Sequence, residues 1–173
     1  SAYGIYIDAS AIQSAGGDIA MHATSYVGGG IKIQNAASID SGGGAVLLDV
    51  SGGEFGIYLD GSSIASGDGS VTLDASGNHV GIQVSAAASI TSTGGAITLS
   101  ALGSHGGIMV DGSDIASSTG AITLEADSDY MYGVHVSNSG INSTGGDIRI
   151  AGSSSYSLGY GVQINANSVI SSG

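Results

Sequence analysis

The stretch Gly56–Val80, GIYLDGSSIASGDGSVTLDASGNHV, is a sentence that the rest of the chain repeats. Imperfect copies open at Gly4, Gly30, Gly56, Gly81, Gly107, Gly133 and Gly161, so the spacings are 26, 26, 25, 26, 26 and 28 residues. A fixed period of this size is the signature of a solenoid, in which each unit buries against its neighbours an apolar face that it cannot bury alone.

Within every copy the apolar residues keep constant offsets. An apolar-x-apolar pair follows the opening glycine, as in Ile57/Leu59, Ile82/Val84 and Ile108/Val110. After a polar turn comes one isoleucine, at Ile12, Ile39, Ile64, Ile90, Ile115, Ile141 and Ile170, with a serine two residues later each time. Beyond a glycine-rich corner lies a second alternating run, Val71/Leu73, Ile97/Leu99 and Ile122/Leu124 among them, mostly closed by alanine or valine. Period-two alternation of β-branched residues predicts strands.

Each copy therefore holds three short strands and three corners, and the fold class expected is all-β: a parallel β-helix with three strands and about 26 residues per coil. About six and a half coils span residues 1–173 as one solenoid segment, with coils starting near 4, 30, 56, 81, 107, 133 and 161. Stacked coils would be about 4.8 Å apart. The general rule for parallel crossovers gives a right-handed winding. The central isoleucine sits eight residues after the opening glycine in copies one, three and five, and nine after it in copies two and four. That alternation suggests a two-coil unit of about 52 residues. The corner position taken by Asp8, Gln34, Asp60, Ser85 and Asp111 alternates acid with neutral, which roughly doubles the distance between like charges.

Composition narrows the class of function. The chain has 32 glycines and no proline, yet its apolar columns exclude a disordered chain, and the absence of a Gly-X-Y period excludes collagen. The glycines are expected at corners that need positive φ. Fourteen acids stand against Lys32 and Arg149, a net charge of −12. Such a surface repels phosphate backbones and anionic lipids, so neither nucleic acid nor membrane insertion is expected. Cysteine is absent, leaving no disulfide framework and no thiol chemistry. The chain starts on a strand near Tyr3 and stops within a coil, as a segment of a longer repeat protein would.

The third corner, before each opening glycine, varies most in length and gathers the aromatic residues: Tyr26, Phe55, His79, His105, Tyr130, Tyr132, Tyr156 and Tyr160. Variable corners along one edge of a solenoid are commonly its binding edge, and aromatic faces stack on sugar rings, so these eight are the candidate ligand-contact residues. A competing reading is that Phe55, Tyr132 and Tyr160, each directly before a glycine, cover the end of the core. His79 and His105 share a register one coil apart; two ligands without further donors make a weak metal site. The seven-fold serine column lacks an accompanying base, and reads as a hydroxyl ladder serving corner backbone groups. Thr72, Thr98 and Thr123 form one exposed column, too narrow for an ice-binding array. Asp68, Asp127 and Asp129 read as solvated corner acids. No base stands beside clustered acids as sugar cleavage requires, and no triad, phosphate loop or dinucleotide fingerprint occurs, so no catalytic residue, metal or cofactor is expected.

The phrases GGDIAMHA, GGAITLSA, TGAITLEA and GGDIRIAG, each followed by a loop and a GIxIxxxxI-like run, resemble the GG-x-I-x-L-x-A repeats of large secreted bacterial adhesins of the filamentous haemagglutinin type, exported by two-partner secretion. The likeness covers essentially the whole chain. It implies an elongated, non-enzymatic stalk at the bacterial cell surface or in extracellular matrix, serving adhesion, biofilm cohesion or filament formation. Its implied partners are neighbouring coils of the parent chain or further copies end to end, host or matrix carbohydrate, and an outer-membrane transporter. Two alternatives remain open: a polysaccharide-binding or polysaccharide-degrading β-helix, and a self-stacking filament subunit.

Overall fold

The computed structural model describes residues 2–173, and the described residues form strands and no helix. Three parallel sheets of seven, seven and six strands run the length of the molecule. The first contains Tyr3–Asp8, Gly29–Gln34, Phe55–Asp60, Val80–Ser85, Gly106–Asp111, Tyr132–Ser137 and Tyr160–Asn165. The second contains Ala11–Gln13, Ser38–Asp40, Ser63–Ala65, Ser89–Ser92, Asp114–Ser117, Gly140–Ser143 and Val169–Ser172. The third contains Ile19–Thr24, Val46–Ser51, Val71–Gly77, Ile97–Gly103, Ile122–Ser128 and Ile148–Ser154. The chain visits the sheets in rotation, which makes six complete turns and two strands of a seventh.

Equivalent residues stand on one another. Ile5, Ile31, Ile57, Ile82, Ile108, Val134 and Val162 pair in sequence along the first sheet. Ile12, Ile39, Ile64, Ile90, Ile115, Ile141 and Ile170 do so along the second. Met21, Leu48, Leu73, Leu99, Leu124 and Ile150 do so along the third. In the middle turns these side chains are sealed: Ile57, Leu59, Ile64, Val71 and Leu73 are all 0 % exposed. Each such side chain contributes about 1.5–3 kcal/mol by leaving water. One continuous core results, running from the first turn through the sixth, while Val162, Ile164 and Ile170 of the seventh are exposed.

The opening glycines are required by packing and not by their dihedrals. Their φ values are outside the left-handed region, whereas corner glycines such as Gly42, Gly61 and Gly112 have the expected positive φ. A Cβ on Gly81 would lie 2.7 Å from the Cβ of Ala101, and one on Gly107 would lie 2.5 Å from that of Ala126. Gly4, Gly56, Gly81 and Gly107 thus lie against the alanine that closes the run in the third sheet, Ala23, Ala75, Ala101 and Ala126, while Gly30 lies against Val50. Those two positions form a glycine–alanine contact in four of the turns.

The alternating offset of the central isoleucine has its cause in the first corner. Copies with the shorter offset turn on one residue of positive φ: Ala9, Gly61, Gly112 and Asn138. Copies with the longer offset turn on two: Asn35 with Ala36, Ala86 with Ala87, and Ala166 with Asn167. In the short corners a serine hydroxyl donates to the carbonyl two residues back, Ser62 to Asp60 at 3.0 Å and Ser113 to Asp111 at 3.1 Å. In two of the long corners a buried alanine stands in that place, and its backbone N–H donates instead, Ala37 to Gln34 at 3.3 Å and Ala88 to Ser85 at 3.2 Å; in the third, the Ser168 hydroxyl donates to Asn165 O at 2.7 Å. Where alanine replaces the serine, the backbone N–H supplies what the hydroxyl supplies elsewhere.

The second corner carries the serine column, and its hydroxyls serve the backbone. Ser41 donates to Gly44 O at 2.5 Å and Ser66 to Gly69 O at 2.5 Å, while Ser117 and Ser143 accept from Gly120 N and Gly146 N at 3.0 and 2.9 Å. Ser41, Ser66, Ser92, Ser117 and Ser143 are buried, so a corner peptide left unpaired there would cost about 1–3 kcal/mol.

Candidate functional site

The third corner is ordered by the same device as the strands, because its peptides bond from turn to turn. His79 N donates to Glu54 O at 2.8 Å, His105 N to His79 O at 2.8 Å, and Tyr130 N to Ser104 O at 2.8 Å. Side chains at these positions are therefore held about one rung apart, and five of the eight candidate residues form a run of rings. Centroids are 5.6 Å apart for Phe55 and His79, 4.4 Å for His79 and His105, 5.4 Å for His105 and Tyr130, and 6.3 Å for Tyr130 and Tyr156.

The two histidines are stacked face to face, 11° from parallel. Lone pairs on parallel stacked rings do not converge on a common ion. No group of three or more His, Cys, Asp or Glu suited to a metal occurs among the described residues. The stacking also bears on sugar binding. A ring face covered by a parallel neighbour is closed to a sugar, and His79 and His105 close one face each in this way while remaining exposed.

Tyr132 and Tyr160 belong to a second column, with ring centroids 6.0 Å apart and planes 14° apart. Tyr132 also stacks on His135 of its own strand, at 4.8 Å and 21°. The two residues are three positions apart, a spacing that puts side chains on opposite faces of a regular strand. The backbone at Gly133 brings both to the outer face. Phe55 and Tyr58 repeat the arrangement around Gly56, and Tyr3 and Tyr6 repeat it around Gly4. Phe55 and Tyr132 are half-buried and Tyr160 exposed, all on the outside of the sheet and not plugging the core. Tyr26 joins neither column: it is 90 % exposed, on a corner that stands away from the rung.

The columns meet between turns five and seven. Tyr130, Met131, Tyr132, Tyr156, Leu158 and Tyr160 line a pocket of about 170 Å³. Four of the eight candidates are thus gathered at one place, and the other four lie elsewhere along the rod.

A larger concavity, of about 540 Å³, lies on the outer face of the third sheet. Asp49, Asp74, Glu125 and Asp127 stand along it, with Ser100 and Leu102 between them. Asp49 and Asp74 are direct cross-strand partners, like charges side by side. Each end of the acidic row is met by a basic group of the chain, His22 against Asp49 at 3.2 Å and Arg149 against Glu125 at 2.7 Å, both pairs exposed. Sequence reading singled out Asp127 but missed the row. Its signal is the constant offset that aligns Asp49, Asp74 and Glu125 directly after Leu48, Leu73 and Leu124.

At the opposite end, Lys32 Nζ lies 5.6 Å from the centre of the Tyr3 ring and 5.0 Å from that of Tyr58. Beside it, Asn35 Nδ2 donates to Asp8 Oδ1 at 2.6 Å, and Gln34 Nε2 and Tyr6 OH reach the same carboxylate at 3.4 and 3.3 Å. The Asn35 bond is the main reason the Asp8 carboxyl is held below its ordinary value, partly offset by desolvation and aided by Gln34, Tyr6 and the Lys32 charge. The described residues include no helix long and apolar enough to cross a membrane. No protein-family model, curated protein or solved structure matches the chain.

Proposed function

We propose that this chain is a non-catalytic spacer: a rigid stalk segment of a secreted bacterial surface protein, serving adhesion or matrix cohesion. The observation that carries this reading is the unbroken register of the three core columns through all the turns, with their middle members at 0 % exposure. In such a solenoid each turn contacts only its neighbours, so turns add length at about 4.8 Å each without redesign of the rest. An acidic exterior with two Lys and Arg residues in all keeps a long rod soluble and apart from anionic surfaces. The resemblance of the glycine-initiated repeats to filamentous haemagglutinin-type adhesins supports the same assignment.

The test is shape together with inertness. Small-angle scattering should return a rod whose length follows the number of turns. Incubation with pectins, alginates and bacterial glycans should leave every polymer uncut. Cleavage of any of them would replace this reading by a polysaccharide-degrading one, and fibres far longer than one chain would replace it by a filament subunit.

A further inference from the structure

The repeat is broken at one place, and the break makes a pocket. Gly133 and Gly161 are 28 residues apart where other turns take 25 or 26, and the added length falls in the corner that carries Tyr156 and Leu158. On a regular rung the rings of His79 and His105 close face to face, 4.4 Å apart and 11° from parallel. Here Tyr130 and Tyr156 are 6.3 Å apart and inclined by 58°, so their faces do not cover each other. Tyr130, Met131, Tyr156, Leu158 and Tyr160 are all exposed around the pocket, the leucine by 76 %. Apolar side chains gathered around one exposed pocket are a candidate binding surface.

Charge selects the ligand. The pocket has no charged lining residue, and the chain carries a net charge of −12. Both of its strong cations are engaged elsewhere, Lys32 between Tyr3 and Tyr58 and Arg149 on Glu125. The Lys32 arrangement is an internal precedent, because Tyr3 stands in the same column as Tyr132 and Tyr160. There the fold's own ammonium is placed over tyrosine rings; in the pocket no cation of the chain reaches the rings. A primary ammonium is strongly hydrated, and a guanidinium's fork of N–H donors is matched by a carboxylate that the lining does not hold, whereas a quaternary ammonium carries its charge in an apolar jacket, donates no hydrogen bond and needs only ring faces and a negative field. A neutral sugar, by contrast, wants a free flat ring platform with hydrogen-bonding groups beside it.

From this we infer that the pocket between Tyr130 and Tyr156 binds quaternary ammonium groups of the trimethylammonium class. The inference stands independently of the stalk reading, since a rod of any purpose can carry the pocket. The probes are choline, its neutral isostere 3,3-dimethylbutan-1-ol, and methyl β-glucoside, titrated into the whole chain and followed by the tyrosine ring resonances. Choline is expected to bind about tenfold more tightly than the isostere, and Tyr156→Leu to weaken choline about tenfold, the size of one cation–π contact. Tyr58→Leu, at the other end of the rod, should leave choline binding unchanged. Leu158→Ser, an exposed substitution in the same pocket, provides a second reading if Tyr156→Leu does not fold. Equal binding of the isostere, displacement of choline by the glucoside, undiminished binding in both folded pocket variants, or no choline binding at all would each overturn the assignment.

Discussion

The imidazoles of His79 and His105 lie 4.4 Å apart and 11° from parallel, bracketed by Phe55 and Tyr130. Their closeness follows from the corner peptides, which bond from rung to rung and set the two residues one above the other. Stacked aromatic pairs contribute about 0.5–1.5 kcal/mol beyond area burial. A double-mutant cycle with His79→Ala and His105→Ala, read by thermal denaturation, should therefore give a coupling of about 0.5–1 kcal/mol. Zero coupling would mean that the rings are neighbours without attraction.

The contact between Gly107 and Ala126 makes a sharper prediction. Gly107→Ala should destabilise the protein by about 1–3 kcal/mol through overpacking. Adding Ala126→Gly should recover part of that loss. Recovery is incomplete because a Cβ on Gly107 would also lie 2.6 Å from Gly133 O, which the second substitution does not move. Denaturant midpoints of the two variants decide the matter.

Ile64 and Leu99 are both fully buried at the centre of the stack. Replacing either with aspartate puts an unpaired charge into that core, and a loss of about 4 kcal/mol or more in stability is expected. Tyr130→Ala removes a half-exposed ring from a corner and should leave the circular dichroism unchanged, with a change in stability of about 1 kcal/mol. A Tyr130→Ala protein that failed to fold would show that the corner rings are part of the core.

Asp8 gives the pH prediction. Its carboxyl is held below the ordinary value chiefly by Asn35, so the contribution of these bonds is present above the unfolded-state value and is lost as pH falls through the folded one. Asn35→Ala should move the Asp8 midpoint upward in a carbon-detected NMR titration. An unmoved midpoint would assign the shift to Gln34, Tyr6 or Lys32 instead.

The core was legible in the sequence because its signal is redundant. Ile12, Ile39, Ile64, Ile90, Ile115, Ile141 and Ile170 state one fact seven times, and stacking requires them to align. The serine column was legible for the same reason. The alternating isoleucine offset was visible, but its cause was not, since Asn35 with Ala36 does not advertise two left-handed residues in a row. The corner glycines Gly42, Gly61 and Gly112 have the positive φ expected of them, but the packing need of Gly81 and Gly107 against Ala101 and Ala126 was not visible, because a small residue does not show in a sequence what approaches it. At the candidate site the third corner was visible as the place where length and aromatic content vary. Which rings face one another and which remain open depends on rung-to-rung geometry, so the closure of His79 on His105 and the opening at Tyr156 emerge only in three dimensions.

The claim beneath all of this is that length is additive, and one distance measurement tests it. Ala20, Leu47, Thr72, Thr98, Thr123 and Arg149 stand in consecutive register on the outer face of the third sheet, five turns from first to last. Spin labels at Ala20 and Arg149 should report a backbone separation of about 24 Å by double electron–electron resonance. Duplicating two turns between them should lengthen it by about 10 Å with an equally narrow distribution. A separation that does not grow, or a distribution that broadens over the whole accessible range, would contradict the account.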